Sequence, residues 1–230
     1  WIKVRSTVDD QVGWVSRSML THVDSTYSLS HIPSAVVVTP MAEAMPEDGG
    51  ARLLLTMGTR LPKYMNGTFE VLGQQYTIDP ACVKVYQRSE QRSNNEVQQR
   101  SNLIRIARSM LNTPYLWGGK NAMGFDCSGF TQVVYAAIGI NILRNAREQI
   151  TQGELVPSLS ETMPGDLAFF DQADYDPKDI RITHVGLLLS PTEIIHCAGG
   201  CVHIDRIDDN GIYQSDGTKT HHLVQIKRYL

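Results

Sequence analysis

Residues 125–140 read FDCSGFTQVVYAAIGI. Within this stretch Phe130, Val133, Val134, Ala137 and Ile138 recur at three- and four-residue intervals, the spacing of one buried helical stripe. Asp126 suits the N-cap, because a short carboxylate accepts the free backbone N–H groups of a first turn, and Gly139 suits the exit. Cys127 is therefore expected in the first turn of a helix, where the partial positive charge of the helix end favours a thiolate. The preceding residues 113–126, TPYLWGGKNAMGFD, are rich in glycine and aromatics, as in a loop whose backbone must approach something closely.

Working outward, Leu103, Ile104, Ala107, Met110 and Leu111 give a second helical stripe, which Thr113-Pro114 ends because the residue before proline is steered away from helix. Downstream, PGDLAFF, THVGLLL, EIIHCA, CVHIDRI and HHLVQIKRY are strand-like runs separated by turn residues. A helical part followed by a sheet predicts an α+β domain over residues 97–230. Residues 1–86 are short strands punctuated by Gly, Pro, Asp and Asn, the pattern of small antiparallel barrels. One unit is expected at 34–86, with Met57, Met65 and Phe69 in its core, and the closing strands of another at 1–33, whose first half would lie upstream of Trp1. The polar run QRSEQRSNNEVQQ, beginning at Gln87, reads as a linker over 87–96 that enters a helix.

Composition narrows the function classes. A net charge of −3 and a pI near 6.2 carry no basic footprint for nucleic acid, and no apolar run is long enough to span a bilayer as a helix. Four cysteines in 230 residues are too few for a disulfide framework.

A nucleophilic cysteine needs a base, and the base needs a third group to orient it. His184, in RITHVGLLLS, and His196, in EIIHCAGG, lie on two apolar runs joined at Ser190-Pro191-Thr192. If those three residues form the turn, Leu189 faces Glu193 and His196 faces Gly186. The two imidazoles then share a sheet face one diagonal step apart, about 7–8 Å between backbones. A two-residue turn would put them on opposite faces. A competing reading gathers Cys197, Cys201 and His203, with His196 beside them, into a zinc site. His22, His31, His221 and His222 read as solvent-facing.

With these residues in view, the chain resembles the NlpC-type cell-wall peptidases, cysteine hydrolases on a papain-like fold. The resemblance rests on TPYLWGGKNAMGFDCSGFTQVVYAAIGI, MPGDLAFF, ITHVGLLLS and IIHCAGG. It implies Cys127 as nucleophile, His184 as general base and acid, His196 as the orienting residue, and Tyr115 as a phenol beside the nucleophile that supports an oxyanion. The N-terminal strands resemble bacterial SH3-like modules of a subgroup that cuts the γ-D-glutamyl–L-diamino acid bond in peptides with a free N-terminal L-alanine. By that subgroup's pattern Trp117, Asp126 and Ser128 line the substrate site, Asp126 meeting an ammonium group. Asn145 stands where the subgroup carries an aspartate. The implied partners are murein tri- or tetrapeptides, with no cofactor, and a monomer is expected in the cell envelope, the cytoplasm being the alternative. A wall-binding module without activity is the rival reading.

Overall fold

The computed structural model describes residues 1–23, 34–86, 96–174 and 176–230. His31 and most of the expected linker lie outside the described residues.

The first unit is a hairpin of β1 (Ile2–Arg5) and β2 (Val12–Val15), in which Ile2 pairs with Val15 and Arg5 with Val12. The second comprises β3 (Ser34–Val37), β4 (Met41–Pro46), β5 (Leu53–Thr56), β6 (Thr68–Val71), β7 (Gln74–Ile78) and β8 (Val83–Tyr86). β3 pairs with β8, and the other four form a sheet in the order β5-β4-β7-β6. Alternation along β4 sends Ala42 and Ala44 inward, where they meet Ala35, Val37, Leu61, Phe69 and Ile78. Of the three residues expected in this core, Phe69 is there. Met65 is exposed and Met57 is buried instead in the core of the C-terminal unit. The Met57-Gly58 turn seats against the second helix of that unit, near Val133 and Ala136.

The C-terminal unit begins with α1 (Glu96–Ser109). A small hairpin, β9 (Lys120–Asn121) and β10 (Gly124–Phe125), then leads into α2 (Cys127–Ala136), followed by the short α3 (Ala146–Gln149). Seven strands complete it: β11 (Glu154–Val156), β12 (Leu167–Gln172), β13 (His184–Ser190), β14 (Glu193–Ala198), β15 (Cys201–Asp208), β16 (Gly211–Tyr213) and β17 (Lys219–Arg228). Their order is β11-β17-β12-β13-β14-β15-β16, and β17 also pairs with β16, so strands β12 to β17 close on themselves. The strands alternate between two cores. Leu167, Phe169, Val185, Leu187, Ile195, Cys197 and Val202 pack outward against Leu103, Phe130, Val134 and their neighbours on α1 and α2. Ala168, Phe170, Leu188, Ile194, Ile207, Ile212 and Ile226 fill the interior. Asp166, fully buried, receives both Arg100 from α1 and Arg228 from β17 and ties helix to sheet. Removing either partner of such a pair would leave a buried charge uncompensated.

Two residues of the N-terminal hairpin, Gln11 and Asp9, fix it to this unit. Gln11 donates to Glu148 at 3.0 Å and accepts from Asn145 at 3.3 Å. Buried Asp9 accepts from Lys120 at 3.3 Å and Gln132 at 3.2 Å.

Candidate active site

α2 starts where expected. Asp126 caps it by accepting from Gly129 N–H at 2.6 Å, which places Cys127 in the first turn. The glycine-rich loop is compact because the chain approaches itself: a Cβ on Gly129 would stand 2.1 Å from the Gly119 carbonyl oxygen. The backbone N–H groups of Val185 and Ser128 lie near enough to the Cys127 sulfur to favour its anion, so the nucleophile candidate lies by the residue that follows His184.

The thiol is not ionised by its helix, as the sequence led us to expect. Burial and the adjacent Asp126 charge push its pKa up, outweighing the two N–H donors and Arg144. Burial and the surrounding imidazoles hold His184 well below the ordinary histidine range. Near neutral pH both the thiol and the His184 imidazole are therefore uncharged.

The two histidines meet as the three-residue turn required, by a different route. β13 and β14 are joined by a two-residue turn, with Ser190 opposite Glu193, but an irregularity between Leu188 and Ser190 shifts the register back, so that Leu187 faces Ile195. His196 thereby lies across from Gly186, and His184 Nε2 sits 2.8 Å from His196 Nδ1. Gly186 is required here: a Cβ would stand 2.6 Å from Ile194 Cδ1 and 2.9 Å from His196 Cβ. Gly186→Ala is expected to cost about 1–3 kcal/mol through overpacking and to displace His196. Thermal unfolding should shift down by several degrees and kcat should fall with it; an unchanged melting point and kcat would contradict this packing.

Behind His196 stands Asp205 on β15, its Oδ2 3.2 Å from His196 Nε2. That carboxylate fixes the protons of the whole chain. It can only accept, so His196 Nε2 carries the hydrogen; in the neutral ring Nδ1 then accepts, His184 Nε2 donates to it, and His184 Nδ1 is left with a lone pair. A base is thus prepared on the ring nitrogen away from His196. His184, His196, His203, Asp205 and His221 share the interior face of the closed sheet at one end of its apolar filling. His221, expected in solvent, stacks on His184 with ring centroids 4.2 Å apart, and burial pushes its pKa down to about 4. His22 is exposed and His222 half-buried.

Tyr115 lies close enough to Cys127 that a thiolate charge there raises the phenol's pKa, after burial, the larger cause. Trp117 is 86% exposed on the same loop and does not cover Tyr115. Asp126, expected to meet a substrate ammonium, is already engaged within the protein. Its carboxylate accepts from Gly118 and Gly129 N–H, from Ser128, and from Arg144 through two bonds of 2.9 and 2.6 Å. The bidentate guanidinium balances its charge, and Ser128 is buried within the same cluster. Asn145 caps α3 in a reciprocal pair with Glu148. The zinc set of Cys197, Cys201 and His203 does not converge either. Cys197 is turned to the outer face, donating to the Phe125 carbonyl at 3.1 Å, whereas His203 faces inward opposite His196. All four cysteines are free.

Residues 112–220 match the NlpC/P60 family. This part of the chain is an NlpC/P60 domain. The chain is also 31% identical over 189 residues to a gamma-D-glutamyl-L-lysine dipeptidyl-peptidase of Bacillus subtilis, covering 80% of this chain and 59% of that protein. A protein of the same name from Bacillus cereus is 28% identical over 188 residues, with 80% and 55% covered. The chain therefore spans little more than half the length of these relatives. A crystal structure of an NlpC/P60 family protein from Bacillus cereus superposes with a TM-score of 0.71 at 27% identity, over 95% of this chain and 70% of that one. The C-terminal unit thus has the papain-like fold of the NlpC/P60 family.

Proposed function

We propose that this NlpC/P60 protein is a cysteine peptidase that cuts the γ-D-glutamyl–L-diamino acid bond of peptidoglycan stem peptides, with Cys127 as nucleophile, His184 as base and acid, and His196 as its positioning residue. The observation that carries this reading is the ordered run from Asp205 through His196 to His184, which leaves a basic nitrogen on the residue whose neighbour Val185 meets Cys127. As the sulfur attacks the glutamyl carbonyl, the thiol proton passes to His184 Nδ1 and the C–N bond then breaks to a thioester as that proton moves to the leaving amine. Water, deprotonated by the same nitrogen, releases the acid and the thiol. The Tyr115 phenol donates to the developing oxyanion, and Trp117 offers an exposed face to the peptide.

The names of the two Bacillus relatives support the bond and also a free amino end, since a dipeptidyl-peptidase releases a dipeptide from that end. The strands over 1–33 and 34–86 are SH3-like modules that restrict the enzyme to short peptides. The Gln11–Glu148, Gln11–Asn145 and Asp9–Lys120 contacts support a fixed arrangement, as does a solved relative that aligns across 95% of the chain. The site of action is the cell envelope. Among the described residues no helix is long and apolar enough to cross a membrane.

Mass analysis after incubation with L-Ala-γ-D-Glu-L-Lys, its diaminopimelate counterpart, their N-acetylated forms and intact wall tests the reading. Free peptides are expected to give L-Ala-γ-D-Glu with kcat/KM at least about tenfold above the acetylated ones, a difference of about 1.4 kcal/mol. Equal cleavage of all four peptides and of intact wall would instead make the N-terminal units wall anchors.

A further inference from the structure

The inner end of the closed sheet holds a group of donors of which the peptidase chemistry uses His196 and Asp205 but not His203. His203 Nδ1 lies 2.9 Å from the Cys201 carbonyl oxygen, which can only accept, so this nitrogen carries the hydrogen and Nε2 of the neutral ring presents a lone pair. That lone pair points at Asp205 Oδ2, 3.2 Å away, another acceptor. Two lone pairs facing each other are relieved either by a proton on Nε2 or by a metal ion that both atoms ligate. His196 Nε2 is the third atom of the group, also 3.2 Å from Asp205 Oδ2, and the three donor atoms all lie within 4.8 Å of one another. In a tetrahedral zinc site with bonds of about 2.0–2.1 Å, neighbouring ligand atoms are roughly 3.3 Å apart. A cavity of about 370 Å³, also bordered by Gln214, Thr220 and His221, adjoins the group and has room for a metal-bound water.

We propose that His196, His203 and Asp205 form an inhibitory site for a divalent transition metal, of which Zn²⁺ is the type, and that the ion acts by reversing the tautomers of the two active-site histidines. Two imidazoles and a carboxylate with an open fourth position suit Zn²⁺ better than the hard cations Mg²⁺ or Ca²⁺, which prefer all-oxygen shells. For the ion to bind His196 Nε2, the hydrogen on that atom must move to Nδ1. His196 Nδ1 then donates instead of accepting, so His184 Nε2 must accept, and the His184 hydrogen moves to Nδ1. Each ring keeps one proton, and the nitrogen that would receive the thiol proton no longer has a lone pair. The inhibition rests on the proposed peptidase reading; the binding and the tautomer change do not.

The experiment titrates Zn²⁺ into the whole chain and follows three readouts: bound metal by calorimetry, histidine nitrogen shifts by ¹⁵N NMR, and peptide cleavage. One equivalent is expected to bind, with Nε2-protonated His184 and His196 converting to the Nδ1-protonated forms and cleavage falling by at least about tenfold. His203→Gln and Asp205→Asn should each weaken Zn²⁺ by at least about tenfold, the latter retaining an oxygen that accepts from His196. Cys127→Ala should bind Zn²⁺ within about threefold of the unaltered chain. If Cys127→Ala abolishes binding while His203→Gln does not, the ion sits on the thiol and the proposal is overturned. Absence of binding at 100 μM Zn²⁺ would overturn it too, a proton then being the occupant between His203 and Asp205. Should the ion bind and reverse the tautomers in a chain that cleaves no peptide, the peptidase reading fails and the metal site stands.

Discussion

Cys127→Ala is expected to lower kcat/KM on L-Ala-γ-D-Glu-L-Lys by at least about 10⁴-fold, leaving circular dichroism and the unfolding midpoint close to those of the unaltered chain. The size follows from the division of labour in the site. In the proposed mechanism His184, His196 and Tyr115 all act on, or through, an attacking atom that only Cys127 supplies, so its loss removes their contributions with its own. The fold survives because the change deletes one sulfur from a partly buried position, while the Asp126 cap and the Phe130, Val133 and Val134 stripe that set α2 are untouched. A steady-state assay paired with thermal unfolding reads both halves of the expectation.

Replacing His184 has the second largest expected effect, a loss of about 10²–10⁴ in rate. The raised pKa of the Cys127 thiol gives the reason: near neutral pH the sulfur is protonated and must lose its proton during attack. His184→Ala should therefore also slow alkylation of Cys127 by iodoacetamide at pH 7, by about tenfold, even with no peptide present. Position 196 is different in kind. Its Nδ1 only accepts from His184 Nε2, a task that an asparagine carbonyl can perform, so His196→Asn should retain much more activity than His196→Ala and more than His184→Asn. If His196→Asn proves the more damaging of the two asparagine variants, the roles of the histidines are exchanged.

How much of this was legible in the sequence depended on whether a signal was local. Cys127 at a helix start, Asp126 as its cap and the stripe on α2 are set by neighbours within a few residues, and all were readable. The facing of His184 and His196 was also within reach, because the register of a hairpin follows from its turn. The turn nevertheless has two residues, and the strand irregularity near Leu188 that restores the register carries no sequence mark. Asp205 was not found, although it stands only two residues beyond His203. The strand could be read, but which of its carboxylates lies diagonal to His196 depends on the β14–β15 register. His221 needed still more, since it reaches His184 only because β17 closes the sheet against β12. The pairing of Asp126 with Arg144 was not readable for a related reason: that counter-ion lies beyond α2, and nothing local announces a bidentate pair. Met57 likewise belongs by sequence to the small β unit and by packing to the core beneath α2.

The central claim is that a peptide bond is broken through a thioester on Cys127. Rapid quenching of the chain with L-Ala-γ-D-Glu-L-Lys, followed by intact-protein and peptide mass spectrometry, tests it most directly. The account predicts a transient L-Ala-γ-D-Glu acyl group on Cys127, released L-lysine, and neither in Cys127→Ala. Cleavage that persists in Cys127→Ala, or an acyl group carried by any other residue, would contradict it.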